Sequence, residues 1–305
     1  MPLHITTPLV ESRPLSLAAG RPVWLKLEAL QPAGSFKIRG VGLACDTHRQ
    51  RGAQRFVSSS GGNAGLAVAY AGRKLSIPVV VVVPETTSDT AKALLRQEEA
   101  EVIVHGASWQ EANALAQSMV GATDAFIHPF DDPLLWQGHA SMVDEVFGAG
   151  LKPGAVVLSV GGGGLLSGVA EGLQRNGGAD IPILAVETDG AASLHAAMAA
   201  GHAVELERLS SIATTLGAKR VCDRARQWTQ ERPVQSLLVS DRSALAACER
   251  FLADHRLLVE PACGASLAAV YERAPELEPF DSLLVVVCGG ATATIDQIRH
   301  WAKQA

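Results

Sequence analysis

Aromatic residues are scarce in this chain: Phe, Trp and Tyr together make up 5% of 305 residues. Lys and Arg are scattered, never clustered with interleaved aromatic rings, and the net charge is −5. A nucleic-acid partner therefore has no support, because such surfaces need a basic face. Long apolar runs are missing too. The stretch "PVVVVVP" (78–84) is one of the longest, whereas a bilayer span needs ~20 residues, so no membrane association is expected. The N-terminus "MPLHITTPLVESRP" lacks a basic start followed by an apolar stretch. No secretory signal is expected, and the default is a cytoplasmic protein.

Cysteine is sparse and unpaired in spacing. The residues are Cys45, Cys222, Cys248, Cys263 and Cys288, an odd number with no two close together. A disulfide framework or zinc site is not expected. The 9 histidines are dispersed without a ligand-like pair at helical spacing, which removes support for transition-metal catalysis. Most of the thiols read as small buried hydrophobes; Cys288, at the end of an apolar run, stands apart.

What the chain does contain is alternation. Short β-branched runs at 55–59, 79–83, 101–105, 124–128, 155–160, 182–187, 236–240 and 282–288 read as strands. Between them, residues 63–75, 89–99, 109–120, 134–147, 164–175, 241–255, 262–273 and 293–303 repeat near the helical period. Several strands are apolar on both faces, as in parallel sheets covered by helices on two sides. The expected fold is α/β, with two doubly wound, mostly parallel sheets. A composition break at "GAGLKPG" (148–154) separates four predicted strands from a glycine-led second half. Residues 201–235 have mixed polarity and are the least readable part.

Three strand ends run into glycine. "SVGGGGLLSGV" (159–169) follows a strand and opens a helix. Four consecutive glycines leave backbone N–H groups unobstructed at a helix's positive end, which suits a phosphate dianion. The loop lacks the Lys-Ser/Thr ending of a nucleotide P-loop. Glu187 lies at a distance that keeps a dinucleotide reading, and hence an oxidoreductase, open. "SSSGGNAGLAVAYAG" (58–72) places Ser60, Gly61, Gly62 and Asn63 before an Ala-rich helix. Its N–H groups can receive a carboxylate, or Ser60 or Asn63 can simply cap the helix. "VVVCGGATA" (285–293) ends a strand at Cys288. Ligands gather at the carboxyl ends of parallel strands, so these three loops are expected to face one cleft. Into that setting falls "SFKIRG" (35–40), with Lys37 between Phe36 and Ile38. Apolar surroundings favour the neutral, nucleophilic amine.

Together these segments resemble the pyridoxal-phosphate (PLP) enzymes of fold type II, the tryptophan-synthase-β group. The resemblance is greatest to L-serine dehydratases that also act on threonine. It rests on "SFKIRG", "SSGGNAG", "SVGGGGLLSG" and "VVVCGG". It rests also on "DDPLLWQGHASMVDE" (131–145), "AVETDGAASLHAA" (185–197), "TTLGAKR" (214–220) and "LVEPACGASLAAVYE" (258–272), in the same order. The resemblance implies that Lys37 carries the cofactor as a Schiff base and that Phe36 packs on its ring. It implies that Gly161, Gly162, Gly163, Gly164 and Leu165 hold the phosphate. Asn63 would bond the ring's 3′ oxygen, Cys288 with Gly289 would meet the ring nitrogen, and Thr215 would lie on the ring's second face. Ser60, Gly61, Asn63 and Ala64 would take the substrate carboxylate, with Ser60 also a candidate acid for the leaving hydroxyl. Gly161, Glu187, Ala191, Leu216 and Ala218 resemble a monovalent-cation site, usually K⁺. Two departures stand out: Gly61 where some serine dehydratases have Ala, and Thr215 where the family often has Ala. The resemblance further implies a homodimer, a small lobe over 37–140, and a large PLP-binding lobe of 1–36 and 141–305. Serine racemisation and cysteine-synthase-type β-replacement are the rival PLP activities.

Overall fold

The computed structural model describes residues 1–304 and contains two sheets. The strands are β1 (Leu9–Glu11), β2 (Val23–Lys26), β3 (Arg55–Ser58), β4 (Val79–Val83), β5 (Glu101–Val104), β6 (Asp124–Phe126), β7 (Ala155–Ser159), β8 (Ile183–Thr188), β9 (Val234–Val239) and β10 (Leu283–Val286). They form a six-stranded sheet in the order β1-β2-β10-β7-β8-β9 and a four-stranded sheet in the order β5-β4-β3-β6. Only β1 runs antiparallel to its neighbour. The expectation of α/β architecture with mostly parallel sheets is met. β4, five valines in a row, is buried along its whole length. The edge strand β9 alternates, with Gln235 and Leu238 exposed, as one covered face requires.

Both sheets carry a topological switch point. In the small sheet the chain steps outward from β3 to β5 and returns as β6 on β3's other side. In the large sheet it steps outward from β7 to β9 and returns as β10 between β2 and β7. Loops leaving β3 and β6, and β7 and β10, therefore part in opposite directions and leave a crevice at each carboxyl edge, the position where open α/β sheets bind ligands.

Several elements escaped the periodicity reading. These are β1, β2 and the helices Arg13–Ala19, Lys37–Gln50, Ser193–Ala200 and Asp223–Glu231. The first 150 residues thus supply six strands, not four, and two of them join the large sheet. The helix Lys37–Gln50 was hidden by two glycines and by a buried charge in its first turn. The glycine has a tertiary reason. A Cβ on Gly40 would lie 2.5 Å from the Leu135 carbonyl, and one on Gly138 would lie 2.4 Å from the Arg39 carbonyl. This helix and Pro133–Gly148 touch backbone to backbone, and only glycine permits that approach.

The buried charge is Arg39, fully enclosed. Its guanidinium forks onto Glu28 (2.7 and 2.8 Å) and onto Glu145 (2.7 and 2.8 Å). Lys26 also pairs with Glu145, and Thr7 donates to Glu28 at 2.6 Å. Two cations and two anions cancel, and every fork is filled, the condition under which buried ions are tolerated. The cluster ties β2, the N-terminal segment and two helices together, two residues from Lys37. We predict that Arg39→Met, which strands Glu28 without a counter-charge, lowers stability by about 3–5 kcal/mol. Arg39→Lys should fail to restore it, since an ammonium cannot fork onto two carboxylates. Urea unfolding midpoints check both.

Candidate active site

Lys37 opens its helix at the junction of the two sheets. The segment before it is stitched to the chain leaving β10. Phe36 N–H donates to the Cys288 carbonyl (2.9 Å), Gly290 N–H to Gly34 (3.1 Å), and Ser35 bridges Gly289. The Lys37 amine donates to the Pro129 carbonyl at 2.6 Å, in the segment leaving β6. Both switch points thus meet at this side chain. Burial pushes the Lys37 ammonium down to about 8 from 10.5. About a tenth of the amine is then neutral at pH 7, far more than for an exposed lysine. His128 beside it is pushed down to about 4, by burial and then by the Lys37 charge, and so is neutral. His139, wholly enclosed against Phe36, is also held neutral by burial.

The glycine loop leaving β7 is built for an anion. Among the described residues, no backbone or side-chain acceptor takes the N–H groups of Gly161 through Leu166. Gly163, with φ 91°, is in the left-handed region that favours glycine. A Cβ on Gly162 would lie 2.3 Å from the Phe130 ring. The run therefore points bare N–H groups outward at a helix N-terminus. Side-chain capping divides the helices in the same way, apart from those starting at Ser193 and Asp223, which also have no side-chain cap. Helices starting at Arg13, Asp89, Trp109, Pro133, Asp241 and Ile295 are capped by Ser, Asp or Thr side chains. Those starting at Lys37, Asn63, Gly164 and Pro261, which converge here, have no side-chain cap. Neither Ser60 nor Asn63 caps the helix after β3. Gly62 does so without a side chain, and Ser60 Oγ only accepts a long 3.4 Å bond from Gly62 N–H.

Asn63 is buried, and its Nδ2 donates to Glu260 at 2.7 Å while Oδ1 has no partner. An orphaned buried amide oxygen costs on the order of 1–3 kcal/mol, and such an atom fits a site that receives a ligand. Glu260 also accepts from Thr215 (2.9 Å) and Thr292 (3.0 Å). The Thr215 hydroxyl, a departure from the family's Ala, therefore serves this carboxylate. Cys288 is buried, and a hydrogen bond with Cys263, then burial, hold its thiol well above the usual range. It is a neutral group.

Glu187 is not a solvated strand-end acid. It is fully buried and accepts from the N–H groups of Leu194 (2.9 Å) and His195 (2.8 Å). Burial pushes it up to about 7, and no cationic side chain pairs with it among the described residues. A Cβ on Gly161 would lie 2.9 Å from Leu216 Cα, so these two residues are adjacent. Ala191 is buried in the turn after β8, and Ala218 N–H closes a tight turn onto Leu216 (2.7 Å). Ser193 Oγ is buried without a partner beside the Glu187-capped helix start. No cluster of three or more His, Cys, Asp or Glu capable of holding a metal occurs among the described residues. A surface cleft of about 180 Å³ lined by Met198, Arg226 and Gln230 contains none of these residues.

The residue-type reading missed Glu260, Pro129 and His128. A visible signal existed for Glu260: an acid flanked by Val259 and Pro261 in an otherwise apolar run. For Pro129, a backbone carbonyl, the sequence offers none.

Residues 1–289 match the family model described as pyridoxal-phosphate dependent enzyme. The Homo sapiens protein named L-serine dehydratase/L-threonine deaminase is 47% identical, over 99% of this chain and 96% of that one. A Rattus norvegicus protein named serine dehydratase-like is 48% identical, over 99% and 95%. Among solved structures, a fungal L-serine ammonia-lyase from Rhizomucor miehei superposes with a TM-score of 0.95 at 33% identity, covering 100% of this chain and 99% of that chain.

Acylation of Lys37 in the protein stripped of small molecules should follow its neutral fraction. Half-maximal labelling is expected near pH 8, against 10.5 for an unperturbed lysine. Peptide mass spectrometry across pH measures this. A Lys37 that titrates with the surface lysines would refute the effect of burial.

Proposed function

Since the chain belongs to the family of pyridoxal-phosphate dependent enzymes, we propose that it is an L-serine dehydratase that also deaminates L-threonine. The observation that carries this reading is one geometry. A desolvated lysine amine, an acceptor-free run of N–H groups at Gly161–Leu166 and an orphaned Asn63 amide oxygen meet at the paired switch points. The donor set fits pyridoxal 5′-phosphate. The similarity to proteins named serine dehydratase supports the substrate.

When bound, the cofactor supplies an electron sink for charge developing at the substrate Cα. The chain's own residues do the rest. Lys37 would hold the cofactor covalently, and its neutral amine would take the substrate Cα proton. Phe36, Thr215 and Gly289 would bracket the ring, and Gly161 through Leu165 would hold the phosphate. Asn63 keeps a second Nδ2–H for the ring oxygen. The protonated Cys288 thiol would offer the ring nitrogen no full negative charge, which would favour loss of the β-hydroxyl over transamination. Ser60, Gly61, Asn63 and Ala64 present the helix N-terminus to the substrate carboxylate. Ser60 is the candidate to protonate the leaving hydroxyl. Serine then yields pyruvate and ammonia, and threonine yields 2-oxobutanoate and ammonia.

We propose further that the small lobe (37–140) closes on the rest over the substrate, and that the chain acts as a homodimer. We also propose that K⁺ neutralises the Glu187 carboxylate together with carbonyls near Gly161, Ala191, Leu216 and Ala218. The buried, unpaired Glu187 supports this last assignment.

Two measurements test the reading. Lys37→Ala should lose the protein's yellow colour and at least about a hundredfold in 2-oxo acid formation from L-serine; turnover at the parent rate refutes it. Recovery of D-serine in place of pyruvate would identify a racemase. The cation assignment makes a pH prediction. Glu187 is raised from 4.5 to about 7 in the fold, so the stability linked to its protonation is present below 4.5 and lost as pH rises through 7. The thermal midpoint in K⁺ should exceed that in Na⁺ increasingly above pH 7. Equal midpoints throughout would remove K⁺ from the site.

A further inference from the structure

Glu260 belongs to neither the lysine nor the glycine motif, yet it sits where the two sheets' contributions join. It is nearly solvent-free and is the first-turn neighbour of Pro261. Asn63 Nδ2 and Thr215 Oγ1 donate to Oε1, and Thr292 Oγ1 donates to Oε2. An ionised carboxylate takes all three as donors; a protonated one would need a threonine hydroxyl to turn a lone pair toward it. Asn63 follows β3 of the small sheet, whereas Glu260, Thr215 and Thr292 belong to the chain around the large sheet. The Asn63–Glu260 bond therefore ties one sheet unit to the other beside Lys37.

We infer that Glu260 is a positioning residue: its carboxylate fixes which way the Asn63 amide faces and supplies the standing negative charge within reach of the Lys37 amine. The amide consequence is geometric. With Glu260 as acceptor, Asn63 must turn Nδ2 toward it, leaving one N–H and Oδ1 for the ligand side. A glutamine at 260 can donate instead, which permits the Asn63 amide to flip. The charge consequence follows from the neighbours. The groups acting on Lys37 are Cys288, Glu260 and Cys222, with His128 and His139 responding to it. Both thiols are raised, Cys288 by its bond to Cys263 and by burial, and Cys222 by burial to about 11, and both imidazoles are neutral. Burial raises the Glu260 carboxyl as well, and its hydrogen bonds from Thr215, Thr292 and Asn63, together with the Lys37 charge, hold its ionised form against that. The carboxylate opposes the desolvation of Lys37 and keeps the amine basic enough to take a proton.

This inference rests on the reading of Lys37 as the cofactor lysine, and one set of holoenzyme measurements separates the two. The visible absorbance of wild type, Glu260→Gln, Glu260→Asp and Thr215→Ala is titrated with pH, and kcat and KM for L-serine are measured. Removing the charge destabilises the protonated, cationic form beside it, so the Glu260→Gln transition should move to lower pH by on the order of one unit. Its kcat should fall on the order of tenfold or more, with a smaller change in KM. Glu260→Asp should retain the wild-type transition. Thr215→Ala, which removes one donor at an exposed position, should lower kcat a few-fold at an unchanged thermal midpoint. A wild-type protein without a visible band fails the cofactor reading. A wild-type band that Glu260→Gln leaves in place, with unchanged kcat, overturns the inference alone. If Glu260→Gln does not fold, a Thr215→Ala variant identical to wild type in kcat overturns it.

Discussion

Taking one amine out of water is the constraint on which the rest of this molecule depends. An ammonium buried alone is unstable, and the chain tolerates it because the neutral form is the useful one. The surrounding structure fixes where that amine lies. The Arg39 fork, the Gly40–Gly138 backbone contact and the bonds from residues 34–36 to 288–290 all act on the start of one helix. None of them touches the reacting atoms. Each reduces the freedom of Lys37, the residue we propose as catalytic, and pre-positioning of this kind is one way a rigid fold contributes to rate.

The ends of the helices show the same division between stability and function. At the periphery, Ser, Thr and Asp satisfy the first N–H groups of helices, each such cap contributing about 1 kcal/mol. Around Lys37 the helix starts lack them. Capping Gly163 or Gly62 with a serine would stabilise the helix and occupy the N–H groups that hold anions. Local stability is thus withheld at these helix starts, and by our proposal cofactor and substrate would supply the missing partners.

Charge at the site follows a second rule. Groups expected to stay uncharged, Cys288, His128 and His139, are kept so by burial or by a thiol–thiol hydrogen bond. The two carboxylates near the crevice, Glu260 and Glu187, have backbone or side-chain donors and no cationic side chain among the described residues. Donors without a counter-charge leave a net negative potential. By our proposals the Lys37 charge acts on Glu260 from beyond ion-pair distance, and a monovalent ion pairs with Glu187.

Much of the architecture was legible from local pattern. β-branched runs mark eight of the strands, and glycine clusters mark three of the strand-end turns, because strand propensity and left-handed or crowded backbone are written in neighbouring residues. The helix carrying Lys37 was not legible. Its glycines and its arginine look unsuited to a helix until the partner helix and the two glutamates are in place. Glu260 was hidden for a related reason: its three donors come from segments distant in the chain, Asn63 lying 197 residues away. The sequence by itself determined which elements form, which loops present bare N–H groups, and which lysine is embedded in apolar company. Only the tertiary structure decided that these meet at one amine, what charge surrounds it, and which hydroxyls orient the groups beside it. Hydrogen bonds across two sheets and the loss of water around a side chain are properties of the packed chain, and no stretch of residues carries them alone.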